Sequence, residues 1–277
     1  MLAPMSGDIE TRLFVEDALS QGAVIGLDHA RAHYLRAVLR LERGAGIALF
    51  NGRDGVWFSR IEGLGKGWAS LIVERLLQTQ RPEPDLWLCF APIKRARLDF
   101  LTEKASELGA SRLVPVMTRH TVVTRVNRER LAANAREAAE QCERLSVPEV
   151  AEPVDLGRLI DGWFLGRKLY VCAESGAARP LGDVLIDERQ RLGNRPPAPA
   201  AFLTGPEGGF AEQELDLLAR QSFVVPVGLG PRILRADTAG LMALSCWQAL
   251  LGDAKERPPA ERALAGRDSF QALPDEE

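Results

Sequence analysis

The sequence predicts an α/β protein in two parts, a small β-rich module followed by a mainly parallel sheet with helices on both faces. Three observations predict it. Up to Leu77, short apolar runs are broken by frequent Gly, Asn and Asp turn signals. From Leu86 onward, strand-length apolar runs alternate with helical patterns, the order that builds a parallel sheet. Between them lies Gln78-Thr79-Gln80-Arg81-Pro82-Glu83-Pro84-Asp85, polar with two prolines and the best domain boundary in the chain. A length of 277 residues fits two domains. The expected division is residues 1–78, residues 84–252 and a loosely ordered polar tail, 253–277.

In the first part, Arg12 to Val15 and Ala23 to Leu27 are strand candidates. Asp28 caps a helix carrying Tyr34, Leu35, Val38 and Leu39 on one side. Gly44-Ala45-Gly46 turns the chain into a strand, Ile47 to Phe50. Asn51-Gly52 and Asp54-Gly55 are hairpin signals before Val56-Trp57-Phe58, and Trp68 to Leu77 closes the module. Short strands with frequent turns suggest a small barrel.

In the second part, Leu86 to Ala91 is a buried-type strand. Lys94 to Leu108 follows as a helix with Leu98, Leu101, Ala105 and Leu108 on its apolar stripe, stopped by Gly109. Arg112 to Met117 is the next strand, and the loop Thr118 to Asn127 bears Arg119, His120 and Arg125. A helix from Arg128 to Leu145, a strand from Lys168 to Ala173 and a helix around Val184 to Arg191 continue the alternation.

Composition excludes several classes. No apolar run reaches membrane-spanning length, and the polar, acidic start, Met1 to Glu10, is no signal peptide. Cys89, Cys142, Cys172 and Cys246 are far apart, which argues against a zinc site or a disulfide framework and fits a reducing cytoplasm. His29, His33 and His120 form no metal cluster, so no metal is expected. No G-x-G-x-x-G fingerprint follows a strand, and Gly63-Leu64-Gly65-Lys66-Gly67 has the wrong spacing for a phosphate loop. The net charge of −3 is unevenly spread. Residues 94–144 hold 11 basic against 7 acidic side chains, as a local phosphate-binding face would, or a solvated helix face.

Two strand–loop–helix units near the C-terminus carry the chemistry. In the first, Ala201-Phe202-Leu203-Thr204 runs into Gly205-Pro206-Glu207-Gly208-Gly209-Phe210. In the second, Phe223 to Val227 runs into Gly228-Leu229-Gly230-Pro231-Arg232-Ile233-Leu234-Arg235, with Asp237 or Thr238 available to cap the next helix. Loops at the carboxyl ends of strands are where open α/β sheets bind ligands. Glycines there remove side chains between backbone and ligand. Alone, the first loop reads equally well as a tight turn.

Together the two loops resemble those of the uridine N3-methyltransferases of 16S ribosomal RNA, the RsmE family of SPOUT methyltransferases. The resemblance spans roughly residues 12 to 251 and rests on Leu203 to Phe210 and Leu229 to Ala239. It implies a trefoil-knotted methyltransferase domain preceded by a PUA-like RNA-binding barrel, with S-adenosylmethionine as cofactor. The implied cofactor contacts are Leu203, Thr204, Gly205, Pro206, Glu207, Gly208, Gly209, Leu229, Gly230, Ile233, Leu234, Arg235, Thr238 and Ala239. Glu174, at the end of the Lys168–Ala173 strand, is a candidate for a ribose hydroxyl.

For catalysis, Arg235 and then Arg232 are candidates to stabilise a uridine anion. Glu207 is a candidate base or, equally, a cap of the Gly-rich turn or of the next helix. Phosphate contacts are expected from Arg12, Lys94, Lys104, Arg119, Arg125 and Arg144, with Arg36 and Arg40 as further candidates on the barrel. Cys142-Glu143-Arg144 departs from the small Ser-Gly expected before the arginine. The resemblance also implies a homodimer, with Leu241, Leu244, Trp247 and Leu251 supplying either an interface or ordinary core. The partner the resemblance implies is 16S rRNA, free or within the 30S subunit. The competing readings are a SPOUT enzyme acting on another RNA, such as tRNA, and a dimeric RNA-binding protein without catalysis.

Overall fold

The computed structural model describes residues 9–173, 176 and 178–256. The first part folds as β1 (Ile9–Phe14), β2 (Val24–Leu27), α1 (His29–His33), β3 (Gly46–Phe50), β4 (Val56–Gly65) and β5 (Trp68–Gln78). The strands form one sheet in the order β1-β3-β4-β5-β2, with β1 parallel to β3 and the other neighbours antiparallel. Alternate residues point inward, so Leu13, Ile25, Leu35, Ile47, Leu49, Ile61 and Leu71 share one core.

Asp28 caps α1 as expected, its carboxylate accepting from the Arg31 amide at 2.9 Å. The helix then widens into a π-helical turn, Tyr34–Val38, where Leu39 donates back to the Tyr34 carbonyl. Asn51 organises the predicted turn through its side chain, accepting from the amides of Arg53 and Asp54 at 3.0 and 2.9 Å. Gly55 is obligatory there, since a Cβ would stand 2.2 Å from the Gln78 carbonyl oxygen and φ is +85°.

The second part alternates β6 (Leu86–Phe90), α2 (Arg95–Glu107), β7 (Arg112–Met117), α3 (Arg128–Gln141), the short β8 (Glu149–Val150) and β9 (Val154–Asp155), and α4 (Leu156–Asp161). It continues through β10 (Lys168–Ala173), the short β11 (Arg179–Pro180), α5 (Leu181–Leu192), β12 (Ala200–Thr204), α6 (Glu212–Ala219), β13 (Val224–Gly228) and α7 (Ala236–Leu250). The sheet is parallel throughout, in the order β11-β13-β10-β12-β6-β7-β8, with β9 also on β7. Being covered on both faces, its central strands are apolar along most of their length rather than alternately.

Leu88, Phe90, Tyr170 and Phe202 face one layer of helices, which includes α2, α5 and α7. Cys89, Val116, Val171 and Leu203 face the other, made by α4 and α6. Burying each of the larger side chains contributes about 1.5–3 kcal/mol. From β12 the chain passes over β10 by way of α6 to reach β13, and α7 then returns across the opposite face to pack on α2 and β12. This winding around β10 is the crossing of the knotted SPOUT fold. Leu244, Trp247 and Leu251 lie in the core under α7, so packing rather than an interface explains them.

The two parts meet along α3 and the segment after it. Phe50, Val56, Ala139 and Leu145 form a shared apolar cluster, and the Phe14 amide donates to the Glu140 carboxylate at 2.9 Å. The expected helix to Leu145 stops at Gln141, because Glu143 takes a left-handed φ of +61° and turns the chain inward. Two predicted RNA contacts thereby become structural. Arg144 is only 8 % exposed and pairs with Glu83, while also donating to the carbonyls of Ser106 and Ala110 at 2.7 and 2.8 Å. Arg12 donates to the Arg144 carbonyl and lies over the Phe50 ring at 4.3 Å. No helix among the described residues is long and apolar enough to cross a membrane.

Candidate active site

The carboxyl edge of the sheet gathers the predicted loops. β12 ends at Thr204, and the loop beyond it turns back through a Gly209 amide to Pro206 carbonyl bond of 2.9 Å, with Gly209 at φ +67°. Gly205 lies under the Phe210 ring, where a Cβ would come within 3.0 Å. β13 ends in a second loop in which Gly230 takes φ +97°. Arg235 sits at the N-cap of α7 with extended backbone and no side-chain cap. The expected caps differ, then: Asp237 is inside the first turn and accepts from the adjacent Thr238 amide. The Arg235 side chain makes no hydrogen bond or ion pair to any described residue.

Between the loops lies a narrow cleft. Thr204, Gly205, Leu229, Gly230, Arg232, Ile233, Leu234 and Ala239 line it, all of them expected from the sequence. Cys172, Ala173 and Ala236 line it too and were missed. Their signal was faint: a small residue ends a strand beside the one carrying the first loop. Burial pushes the Cys172 thiol up to about 12, so it stays neutral and serves as wall rather than nucleophile. Thr204 is 1 % exposed and its hydroxyl oxygen has no protein partner. A buried hydroxyl without a partner in an otherwise small-residue cleft is a place for a polar ligand group.

Other expected residues stand around the cleft. Leu203 points into the core on the α4/α6 side, so only its backbone can serve a ligand. Pro206 is buried, and Glu207, Gly208 and Thr238 are exposed. Arg232 and Arg235 are exposed, with no hydrogen bond or ion pair to any described residue. Glu207 does not cap the next helix, because Glu214 does, accepting from the Ala211 amide at 2.9 Å. Glu174 lies outside the described residues.

A neighbouring loop braces the first one. His120 Nδ1 lies 3.1 Å from the carbonyl oxygens of both Gly208 and Gly209. Two acceptors require that nitrogen to carry a proton. The other oxygen of Glu214 accepts from the Arg119 amide at 2.8 Å, and the Arg119 guanidinium donates to Gln213 at 3.0 Å. Neither His120 nor Glu214 was expected, since their partners are about ninety residues away in sequence.

The expected phosphate ligands divide. Lys94 and Arg125 are exposed and unpaired among the described residues, as are Arg36 and Arg40 on the barrel. Lys104 is held by Glu103 and Glu107 at 2.8 Å each, which raises its pKa and offsets its charge locally. Arg12 and Arg144 are committed to the joint between the two parts.

This architecture has known counterparts. Residues 80–248 match the RNA methyltransferase domain family, and residues 27–74 match the RNA methyltransferase PUA domain family. The chain is 33 % identical to ribosomal RNA small subunit methyltransferase E of Synechocystis over 83 % of its own length and 74 % of that protein's. To the Rickettsia conorii protein of the same name it is 30 % identical, over 84 % and 93 % of the two chains. Among solved structures, a ribosomal RNA small subunit methyltransferase E from Neisseria gonorrhoeae bound to S-adenosyl methionine superposes with a TM-score of 0.78 at 28 % identity, covering 88 % of this chain and 99 % of that one. Matched in both parts and along nearly the whole described length, the chain belongs to the ribosomal RNA small subunit methyltransferase E family.

Proposed function

We propose that this protein transfers the methyl group of S-adenosylmethionine to N3 of a uridine in 16S ribosomal RNA, in the cytoplasm, as part of small-subunit maturation. The observation that carries the reading is the cleft itself: small-residue walls, a Thr204 hydroxyl without a partner among the described residues, and a second loop whose Arg232 and Arg235 pair with no described residue. The residues fit the cofactor. Backbone groups of 203–209 and 228–230, with the Thr204 hydroxyl, would hold it, and Leu229, Leu234 and Ala239 would give it an apolar bed. When bound, S-adenosylmethionine supplies an electrophilic methyl group.

The protein's own residues would then orient the base and manage its proton. Loss of the uridine N3 proton leaves an anion spread over two carbonyl oxygens. Arg235, at the N-cap of α7 next to the cleft-lining Leu234 and Ala236, is our first candidate to stabilise that charge as it develops, and the cleft-lining Arg232 our second. Glu207, exposed and not used as a cap, is the candidate to take the proton. The target base must leave its stack, at a cost of a few kcal/mol offset by pocket contacts.

We read the active form as a homodimer. Ile233, 86 % exposed on a cleft-lining loop, is an apolar group in need of a cover, and a second copy would provide it. Calorimetric titration with S-adenosylmethionine tests the reading, followed by methyl transfer to 30S subunits. We expect one site per chain with a Kd on the order of 1 μM. Absence of heat both alone and with 30S subunits would leave the non-catalytic RNA-binding reading in its place.

A further inference from the structure

An open groove of about 430 Å³ lies between the loop that leads into α2 and the loop that leads into α3. Its rim carries Arg95, Arg125 and Arg130, and its apolar floor is Ile93, Leu98 and Val123. Asn127, also on the rim, caps α3 by accepting from the Arg130 amide at 2.9 Å, so the N-terminus of α3 opens here as well.

The charges are arranged against the stability of the free protein. A helix N-terminus carries partial positive charge and favours acids. α2 instead begins with Lys94, Arg95 and Arg97, has no acid in its first turn and no side-chain cap. None of those three cations, nor Arg125, pairs with a described residue. Arg130 is the partial exception, bonded to Asp99 at 3.1 Å, yet its buried Nε has no acceptor. Asp99 is itself occupied by Arg130 and Asn134, so it cannot neutralise the others. Other arginines of the second part do find acids: Arg112 pairs with Glu149, Arg128 with Glu152 and Arg167 with Asp85. Unpaired cations around an apolar floor match a nucleotide strand, with phosphate on the rim and sugar or base below.

The position agrees. The Ala91 amide donates to the Thr204 carbonyl at 3.0 Å, tying the start of this groove to the strand that bears the first cofactor loop. Four residues of chain span at most about 14 Å, so Arg95 stands a few nucleotides from the cleft mouth.

We propose that this groove seats the RNA strand flanking the target uridine, with Arg95 and Arg125 as the phosphate ligands that set the position of the substrate. The proposal rests on the methyltransferase reading above. The test is a double variant, Arg95→Ala with Arg125→Ala, assayed three ways in the full chain. For 30S subunits, KM should rise tenfold or more with little change in kcat. Binding of a short fluorescent uridine-containing RNA should lose about 1.4 from its log K versus log salt slope, the share of two phosphate contacts on a single strand. The single variant Arg95→Ala should raise the melting temperature of the free protein by roughly a degree or more, because a cation leaves the positive end of α2. An unchanged KM together with an unchanged salt slope overturns the proposal. Affinity for S-adenosylmethionine, measured on the same samples, reports separately on the cofactor reading, so a failure of one is distinguishable from a failure of the other.

Discussion

At the joint between the two parts, Arg144 is enclosed by Glu83, Ser146 and two backbone carbonyls, all within the same chain. At the mouth of the cleft, Arg235 is exposed, caps nothing, and meets no acceptor among the described residues. The two side chains are chemically identical, and from the sequence Arg144 was expected to hold RNA phosphate and Arg235 to stabilise the uridine anion and contact the cofactor. What separates them is supply of acceptors. An arginine whose donors are already satisfied at home has little to offer a ligand, whereas one left unsatisfied at a cleft mouth is held ready for charge that arrives with the substrate.

Substitutions at the two sites should therefore fail in opposite ways. The largest effect is expected for Arg144→Ala, which leaves the partly buried Glu83 carboxylate without its counter-charge and removes the guanidinium donor from the Ser106 and Ala110 carbonyls. Loss of about 3 kcal/mol or more is expected by urea unfolding, with affinity for S-adenosylmethionine in the remaining folded protein unchanged. A stability equal to the parent's would show that solvent replaces the guanidinium and that the joint is looser than its geometry. Next comes Arg235→Ala, for which we expect roughly a hundredfold fall in kcat, as for loss of one charge-stabilising donor, while the urea midpoint stays within experimental error. Equal losses in kcat and in cofactor affinity would instead make Arg235 a binding residue.

The smallest effect sharpens the same contrast at a carboxylate. Burial pushes Glu140 above its ordinary pKa, opposed by the Phe14 amide and by Arg31 and Arg136. The folded state thus binds the proton more tightly than the unfolded chain. Glu140 favours folding at pH below the unfolded value, and this contribution is lost as pH rises through the raised folded value. Glu140→Gln keeps an acceptor for the Phe14 amide without the charge. Its melting temperature should exceed the parent's slightly at neutral pH, with the gap closing on acidification. A gap that is constant with pH would mean that Glu140 does not titrate in this window.

Much of the fold could be read from local pattern. The strands from Leu86 and Arg112 and the helix stop at Gly109 are properties of apolar runs and backbone permissiveness, which neighbouring residues decide. The winding of the chain around β10 is not local. No residue between Thr204 and Val224 encodes passage over a strand, and only the likeness of the two loops to a known family pointed to it. The same limit governs the site. Gly205 and Gly230 announce themselves because glycine in such loops has a backbone reason. His120 reads as one more polar loop residue until the fold sets it against Gly208 and Gly209. Arg144 looked like an RNA ligand because its acceptor, Glu83, lies in what reads as a solvated linker.

That linker carboxylate has a mechanical consequence. Glu83 takes the Arg144 guanidinium, the Leu145 amide and the Ser146 hydroxyl together, and Phe14 and Phe50 close the same seam from the barrel side. A hinge needs a segment whose dihedrals can change without breaking contacts, and this one is bolted at its midpoint. Bending the chain at Glu83 would break these contacts, so they hold the barrel against the domain that carries the cleft. A substrate gripped by both is measured as well as recognised: its span, and not only its bases, decides whether a uridine reaches the mouth of the cleft.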